Sequence, residues 1–355
     1  SRLQASIVTY GAVISAAASC GDWKDAIHLL EEAKNQQLEA TTIAVNAVID
    51  SCEKGARWDL ALQLLQNMSD EKIARSTSSY NSALCACGAC RRWQRSAGLL
   101  DAMAADSCTP DIVSFNGVIS ACVRGQAWQQ ALEVRSRIDS LGLELDDVTW
   151  TGLLTACAVG KEWRMAWGFY VECYRQQSGS QPNIIISNAL LSALESAGRW
   201  SEALYLLQRL KGRGANEVSY SAAISACGQS SRWDWSVWLL AELRHQGLGP
   251  DDTIGRRWAI PYSAAAQACR PRRRWQEALL VVGAMRSAGG ADRPTFTAAV
   301  SVLQADGRWR LSLGLLEEME ASSLQADIAT YREAILSLEE DKQLSKAIDI
   351  LDEAR

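Results

Sequence analysis

The sequence predicts an all-α fold, a right-handed α-solenoid of about ten helix-turn-helix repeats, and three observations predict it. Fourteen Trp stand against eight Tyr and three Phe in 355 residues, so one aromatic fills one structural slot many times. Nine of them, Trp23, Trp58, Trp93, Trp128, Trp163, Trp200, Trp233, Trp275 and Trp309, are 35, 35, 35, 35, 37, 33, 42 and 34 residues apart, the self-similarity of a repeat architecture. The same neighbours return with each Trp. Cys52, Cys87, Cys122, Cys157, Cys227 or Cys269 lies six residues before it, and Ala26, Ala61, Ala131, Ala166, Ala203 or Ala278 three after it, with Ala97 one place late. Six Pro, abundant Ala and Leu and few runs of Val, Ile or Thr favour helices over strands.

Counted so that Trp is position 17, the repeats begin near Ile7, Thr42, Thr77, Ile112, Asp147, Ile184, Glu217, Ala259, Arg293 and Ile328, in one array over residues 1–355. The first half of a unit, such as IVSFNGVISACVRG at 112–125, spaces apolar residues by three and four and ends in a turn. That is one amphipathic helix. The second half, such as WDLALQLLQNM at 58–68, repeats the pattern and closes on a polar stretch, in one case LGP at 248–250. A single hairpin cannot bury its apolar faces, whereas stacked hairpins share a continuous core. The two-residue excess of repeat 5 and deficit of repeat 6 fall in connections, which tolerate them. Repeat 7 is longer by seven, and its extra segment, DTIGRRW at 252–258, is expected as an inserted loop. Pro261 and Pro271 disturb repeat 8, and repeat 10 lacks the Trp.

Composition excludes several functions. No apolar run reaches the roughly 18 residues of a membrane span, so no membrane partner is expected. An odd count of eleven Cys in a chain with a large core points to reduced, buried thiols. Cys85, Cys87 and Cys90 form C-x-C-x-x-C, but with only two His and no second Cys pair no metal site is expected. Nothing pairs a nucleophile with a base or cradles a phosphate, so neither an enzyme nor a cofactor or small-molecule substrate is expected. The chain opens on Ser1 without a basic and then apolar leader, as a fragment or processed chain would; its targeting segment is not in this sequence. The formal charge of −5 argues against indiscriminate polyanion binding, yet positions 1 to 16 of the first nine repeats hold 14 basic against 8 acidic residues.

Segments such as VTYGAVISAAASCGDWKDAIHLLEEA (8–33), SYNSALCACGACRRWQRSAGLLDAM (79–103) and VSFNGVISACVRGQAWQQALEV (113–134) resemble the pentatricopeptide repeat, of period 35, over nearly the whole chain. A tetratricopeptide repeat would carry its Trp early in the first helix instead. The resemblance implies a single-stranded RNA-binding solenoid in which each repeat reads about one base. By resemblance, positions 5 and 35 read the base and an aliphatic at position 2 wedges between bases. Position 5 is Asn46, Asn81, Asn116, Thr151, Asn188, Ser221, Ser263 and Thr297 in repeats 2 to 9, and position 35 is Ser76, Asp111, Asp146, Asn183, Asn216, Asp251, Asp292 and Asp327. Position 2 is Val8, Ile43, Val113, Val148, Ile185, Val218 or Ile260, with Ser78 and Pro294 departing from the pattern. Gly11 gives repeat 1 no reading side chain. Carried over, Asn with Asp favours U, Thr with Asn favours A, Asn with Asn a pyrimidine, Ser or Thr with Asp favours G, and Asn with Ser looks like a C reader. The implied target is 5′-CUUA(C/U)GGG-3′.

Each reading has a plainer neighbour. An Asp or Asn before a helix is commonly an N-cap, and a polar position 5 can be a solvated face; the pairing of varied hydrogen-bonding residues at both places favours base reading. The Trp series is either a stacking platform for bases or a packing slot, and its fixed place opening every second helix favours packing. Arg57, Arg92, Arg199, Arg232, Arg274 and Arg308 at position 16, with Lys54 and Arg124 at position 13, form either a solvated turn or a phosphate edge. Lys54, Arg124 and the run Arg272, Arg273, Arg274 are the phosphate candidates. The expected function is sequence-selective RNA binding in organelle RNA processing, stability or translation, in chloroplast or mitochondrion and with other RNA-processing proteins as partners. The alternative is a helical-repeat scaffold that binds protein, favoured by the overall acidity.

Overall fold

A computed structural model of the chain describes residues 7–36, 41–71, 73–176, 183–212, 214–246, 259–287, 292–322 and 324–340, which form nineteen α-helices and no strand. Contacts divide the chain into two compact units, Ser1–Gln181 and Pro182–Arg355. The first holds α1 (Ile7–Cys20), α2 (Trp23–Asn35), α3 (Thr42–Lys54), α4 (Trp58–Asp70), α5 (Thr77–Ala89), α6 (Trp93–Ala105), α7 (Ile112–Arg124), α8 (Trp128–Ser140), α9 (Asp147–Gly160) and α10 (Trp163–Gln176). The second holds α11 (Ile184–Ser196), α12 (Trp200–Leu210), α13 (Glu217–Gln229), α14 (Trp233–His245), α15 (Ala259–Ala268), α16 (Trp275–Ser287), α17 (Arg293–Ala305), α18 (Trp309–Ala321) and α19 (Ile328–Glu340), with a 3-10 turn at Arg270–Arg272. Each unit is a helical-repeat solenoid. Every repeat start read from the sequence is the first residue of an odd-numbered helix, and every Trp of the series opens an even-numbered one. The segment 248–250, Asp251, the loop 252–258 and the rest of repeat 10 beyond 340 lie outside the described residues, as does the side chain of Val8.

Local chemistry sets the ends of these helices. Thr41, Ser76, Asp111, Asp146, Asn183, Asn216 and Asp292 are N-caps, each accepting a hydrogen bond from a backbone N–H of the first turn. At the other end the residue at position 15 turns left-handed. Gly21, Gly198 and Gly307 supply that conformation cheaply, whereas Ala56, Arg91, Gln126, Lys161, Ser231 and Arg273 adopt it against their Cβ atoms. The following N–H then closes on the helix, as in Arg57 N to Cys52 O at 2.9 Å and Ala127 N to Cys122 O at 2.8 Å. This tight return sends each Trp back along the helix it follows.

Packing explains the repeated residues. The odd helices bury positions 3, 4, 7, 8, 10 and 11, for example Ser114, Phe115, Val118, Ile119, Ala121 and Cys122 in α7, because within each unit they pack on their hairpin partner and on the neighbouring odd helices. The even helices bury fewer, such as Ala61, Leu65 and Met68 in α4. Burial pushes the thiols of Cys52 and Cys122 up to about 11 and those of Cys87, Cys157, Cys227 and Cys269 to about 12, so they act as small apolar spacers. The Trp series is a packing slot. The rings of Trp93 and Trp128 fill the space beside Gly125 and Gly160 of the next repeat, where a Cβ would stand 2.8 and 2.6 Å from ring atoms. Above five other rings of the series sits the position-16 Arg of the next repeat: Arg57 over Trp23, Arg92 over Trp58, Arg232 over Trp200, Arg274 over Trp233 and Arg308 over Trp275, at 4.4–5.0 Å from the ring centres.

Candidate RNA-binding face

Positions 2, 5, 9 and 13 of an odd helix lie three or four residues apart and share one face, opposite the buried positions 4, 7, 8 and 11. Position 2 is the apolar member of that face. Ile43, Val113, Val148, Ile185, Val218 and Ile260 are 47–77% exposed, so folding alone forgoes about half or more of the burial each aliphatic offers. One turn deeper, every position-5 residue in repeats 2 to 9 is half-buried.

Positions 5 and 35 meet where both lie in one unit with long side chains. Asn81 Nδ2 donates to the Asp111 carboxylate at 3.2 and 3.4 Å, and Asn116 Nδ2 to Asp146 at 3.2 Å on both oxygens. In the second unit Asn188 Nδ2 donates to Asn216 Oδ1 at 3.3 Å. Capping and pairing coexist: Asp111 and Asp146 each also accept from the backbone N–H three residues on, Ser114 at 2.8 Å and Thr149 at 2.7 Å. Burial alone would raise these two carboxyls, but the hydrogen bonds from Ser114 or Thr149 and from the Asn amide outweigh it and hold them below the ordinary carboxylate range.

The remaining pairs differ. Ser76 bonds Ser79 Oγ at 3.1 Å, and Asn46 Oδ1 is buried without a hydrogen-bond partner. Thr151 donates to the Asp147 carbonyl at 2.7 Å, while Asn183 accepts from Ile185 N at 3.2 Å. Ser221 is half-buried, and its partner position, Asp251, is not described. Ser263 turns to the Ile260 carbonyl at 3.0 Å, and burial raises the Asp292 carboxyl despite its bonds from Thr295. Thr297 bonds Thr330 at 2.7 Å, and Thr330 donates to Asp327 at 2.6 Å.

Basic groups line this face unevenly. Lys54 donates to the Ala18 and Ser19 carbonyls at 3.1 and 2.7 Å, closing the end of α1, and Arg124 is exposed. Arg272 and Arg273 are exposed at the 3-10 turn, while Arg274 lies over Trp233 and 3.7 Å from Glu277. The same run supplies Arg270 to a cleft of about 690 Å3 that also holds Arg293, Thr297 and Asp327. Arg270 and Arg293 carry no signal in the repeat pattern, because positions 12 and 1, which they occupy, are not basic in the other repeats.

Sequence reasoning passed over position 3. Ser79, Ser114, Thr149, Ser219, Thr295 and Thr330 are fully buried there, and Ser114, Thr149 and Ser219 donate to the Asn Oδ1 of the preceding repeat at 2.6–2.7 Å. Their recurrence was visible in the same register, beside the aromatics at position 4. Among the described residues no cluster of His, Cys, Asp and Glu is arranged to hold a metal ion, and no helix is long and apolar enough to cross a membrane.

Family models place the chain among relatives. The pentacotripeptide-repeat region of PRORP matches residues 6–171, and the PPR repeat matches 185–214 and 218–248. Of solved structures, the pentatricopeptide repeat protein PPR10 from maize is 18% identical with a TM-score of 0.64, over 99% of this chain and 54% of that one. PPR10 in complex with an 18-nt psaJ RNA element is 18% identical with a TM-score of 0.65, over 97% and 54%. At that identity the likeness is one of fold, and the chain spans about half the length of the proteins it matches. No curated protein matched.

Proposed function

We propose that this chain, which belongs to the pentatricopeptide repeat family, binds single-stranded RNA sequence-selectively and acts by occupying a transcript rather than by catalysis. One observation carries the reading: repeats 3, 4 and 6 present a hydrogen-bonded pair at positions 5 and 35, beside an exposed aliphatic at position 2 in repeats 4 and 6. The family's solved member with an RNA element shares the fold.

The chemistry of position 35 gives a physical basis for choice. An ionised carboxylate accepts and never donates, so Asp111 and Asp146 favour a base whose ring nitrogen carries hydrogen, uracil or guanine. Cytosine and adenine offer an acceptor there and meet repulsion. The amide of Asn216 can donate or accept, which suits the pyrimidine assigned to repeat 6. The aliphatics at position 2 fill the gaps between successive bases and so lose their exposed apolar area on binding. Phosphates are left to Arg124, Arg293 and exposed Arg272 and Arg273, while Arg270 lies 3.6 Å from Glu333. We infer an organelle setting, in chloroplast or mitochondrion, with other RNA-processing proteins as partners, as in the family.

An anisotropy titration tests this. RNA of sequence 5′-CUUACGGG-3′ or 5′-CUUAUGGG-3′ is expected to bind in preference to its complement, more weakly as salt rises. Indifference to every RNA up to tens of micromolar would sink the proposal and favour the protein-binding scaffold.

A further inference from the structure

We propose that the buried hydroxyl at position 3 of a repeat is a positioning residue for the base reader of the repeat before it, Thr149 for Asn116, Ser114 for Asn81 and Ser219 for Asn188. The inference rests on the base-reading function above and deepens it.

An Asn side chain has two unlike ends. Turned over about its last torsion, it would exchange a donor for an acceptor at the same place, and a reader free to turn would accept either kind of base edge. Here the two ends are held apart. Oδ1 of Asn116 accepts from the Thr149 hydroxyl at 2.7 Å, while Nδ2 donates to the Asp146 carboxylate at 3.2 Å. Thr149 is fully buried, and its one hydroxyl hydrogen is shared between Asn116 Oδ1 at 2.7 Å and Asp146 Oδ1 at 2.6 Å, so its direction is fixed by the pair. Reversing the amide would set its carbonyl against the carboxylate. One orientation survives, and it sets Nδ2 of Asn116 3.2 Å from both Asp146 oxygens, a fixed donor next to a fixed acceptor. The hydroxyl link recurs at Asn81, with Ser114 Oγ to Oδ1 at 2.6 Å, and at Asn188, with Ser219 Oγ to Oδ1 at 2.7 Å, where Asn216 Oδ1 takes the place of the carboxylate.

Two other repeats show what happens without the link. In repeat 2 the cap is Ser76; its short side chain holds the Ser79 hydroxyl at 3.1 Å, and Asn46 Oδ1 is left buried without a partner. In repeat 8 the Thr295 hydroxyl lies 2.9 Å from both Asp292 oxygens, and Ser263 turns instead to a backbone carbonyl. A hydroxyl at position 3 therefore reaches the reader where the cap is Asp or Asn and the reader extends to it, as Thr330 also reaches Thr297 at 2.7 Å, but only an Asn reader has two unlike ends to be held apart.

The test replaces the hydroxyl and keeps the shape, in Thr149→Val, and compares binding of RNAs that carry U, C, A or G opposite repeat 4 or opposite repeat 3. Preference for U opposite repeat 4 should fall about fivefold, the net worth of one hydrogen bond, with preference opposite repeat 3 unchanged. Thr149→Ser should restore it. Ser114→Ala should produce the mirror result at repeat 3, which keeps the proposal testable if the valine variant folds poorly. Undiminished discrimination by either variant, or an equal loss at both bases, overturns the positioning role. Absence of any base preference in the unaltered chain defeats the base-reading function itself, a result separable from the others.

Discussion

Asp146 both caps α9 and holds Asn116, and these two roles separate chemically. Asn caps a helix about as well as Asp, but it carries no charge to reject an acceptor on a base. Asp146→Asn is therefore expected to leave the melting temperature nearly unchanged while moving preference opposite repeat 4 from U towards C, measured by competition binding. Asp146→Ala should lose the cap as well, at about 1 kcal/mol in urea unfolding. A cap alone would give the second result without the first. Acid acts on the same group: the native carboxyls of Asp111 and Asp146 titrate below their ordinary value. The stability they confer is present above about pH 5 and is lost as pH falls through the native values. Unfolding followed from pH 6 to pH 2 should show a shallower loss in the double variant Asp111→Asn, Asp146→Asn than in the parent chain. Positions 5 and 35 were legible because their identities vary within a fixed polar pair. Position 3 was not, since a recurrent Ser or Thr at the start of a helix reads as part of the cap until its distance to the previous repeat's Asn is known.

Helix ends and close approaches set stability at the scale of the hairpin. Gln126 holds φ 59° between α7 and α8 with a Cβ that disfavours it, so Gln126→Gly should stabilise the chain by about 1 kcal/mol. Gly125 sits one residue earlier, and a Cβ there would meet Trp93 at 2.8 Å and the Ala121 carbonyl at 3.1 Å. Gly125→Ala should cost about 1–3 kcal/mol by overpacking. Thermal melts that show opposite signs for these neighbouring substitutions would support the packing described. The hairpins and their boundaries were readable because the Trp, Cys and Ala of one slot recur together. The left-handed residue was hidden because only Gly21, Gly198 and Gly307 announce it, and six other repeats impose it on ordinary residues.

Charge over the whole chain must be divided by place before it bears on RNA. The formal value of −5 conceals the basic excess of positions 1 to 16, and part of that excess is occupied. Arg57 lies 4.8 Å over Trp23 and 3.0 Å from Asp59, whereas Arg124 is exposed at position 13, on the face that positions 2, 5 and 9 share. Sequence alone could not divide these arginines, since both stand near the end of the first helix of a repeat and only the stack of hairpins sets a ring beneath one of them. Arg124→Gln should reduce the slope of log affinity against log salt by about 0.7, and Arg57→Gln should leave the slope alone while lowering the melting temperature.

The most direct test exchanges both adjacent readers, Asn81→Thr and Asn116→Thr, and titrates the variant with RNAs carrying UU or GG opposite repeats 3 and 4. A base-reading ladder predicts that preference moves from UU to GG at both places, with the melting curve preserved. Retention of the UU preference, or RNA binding blind to both bases, would contradict it.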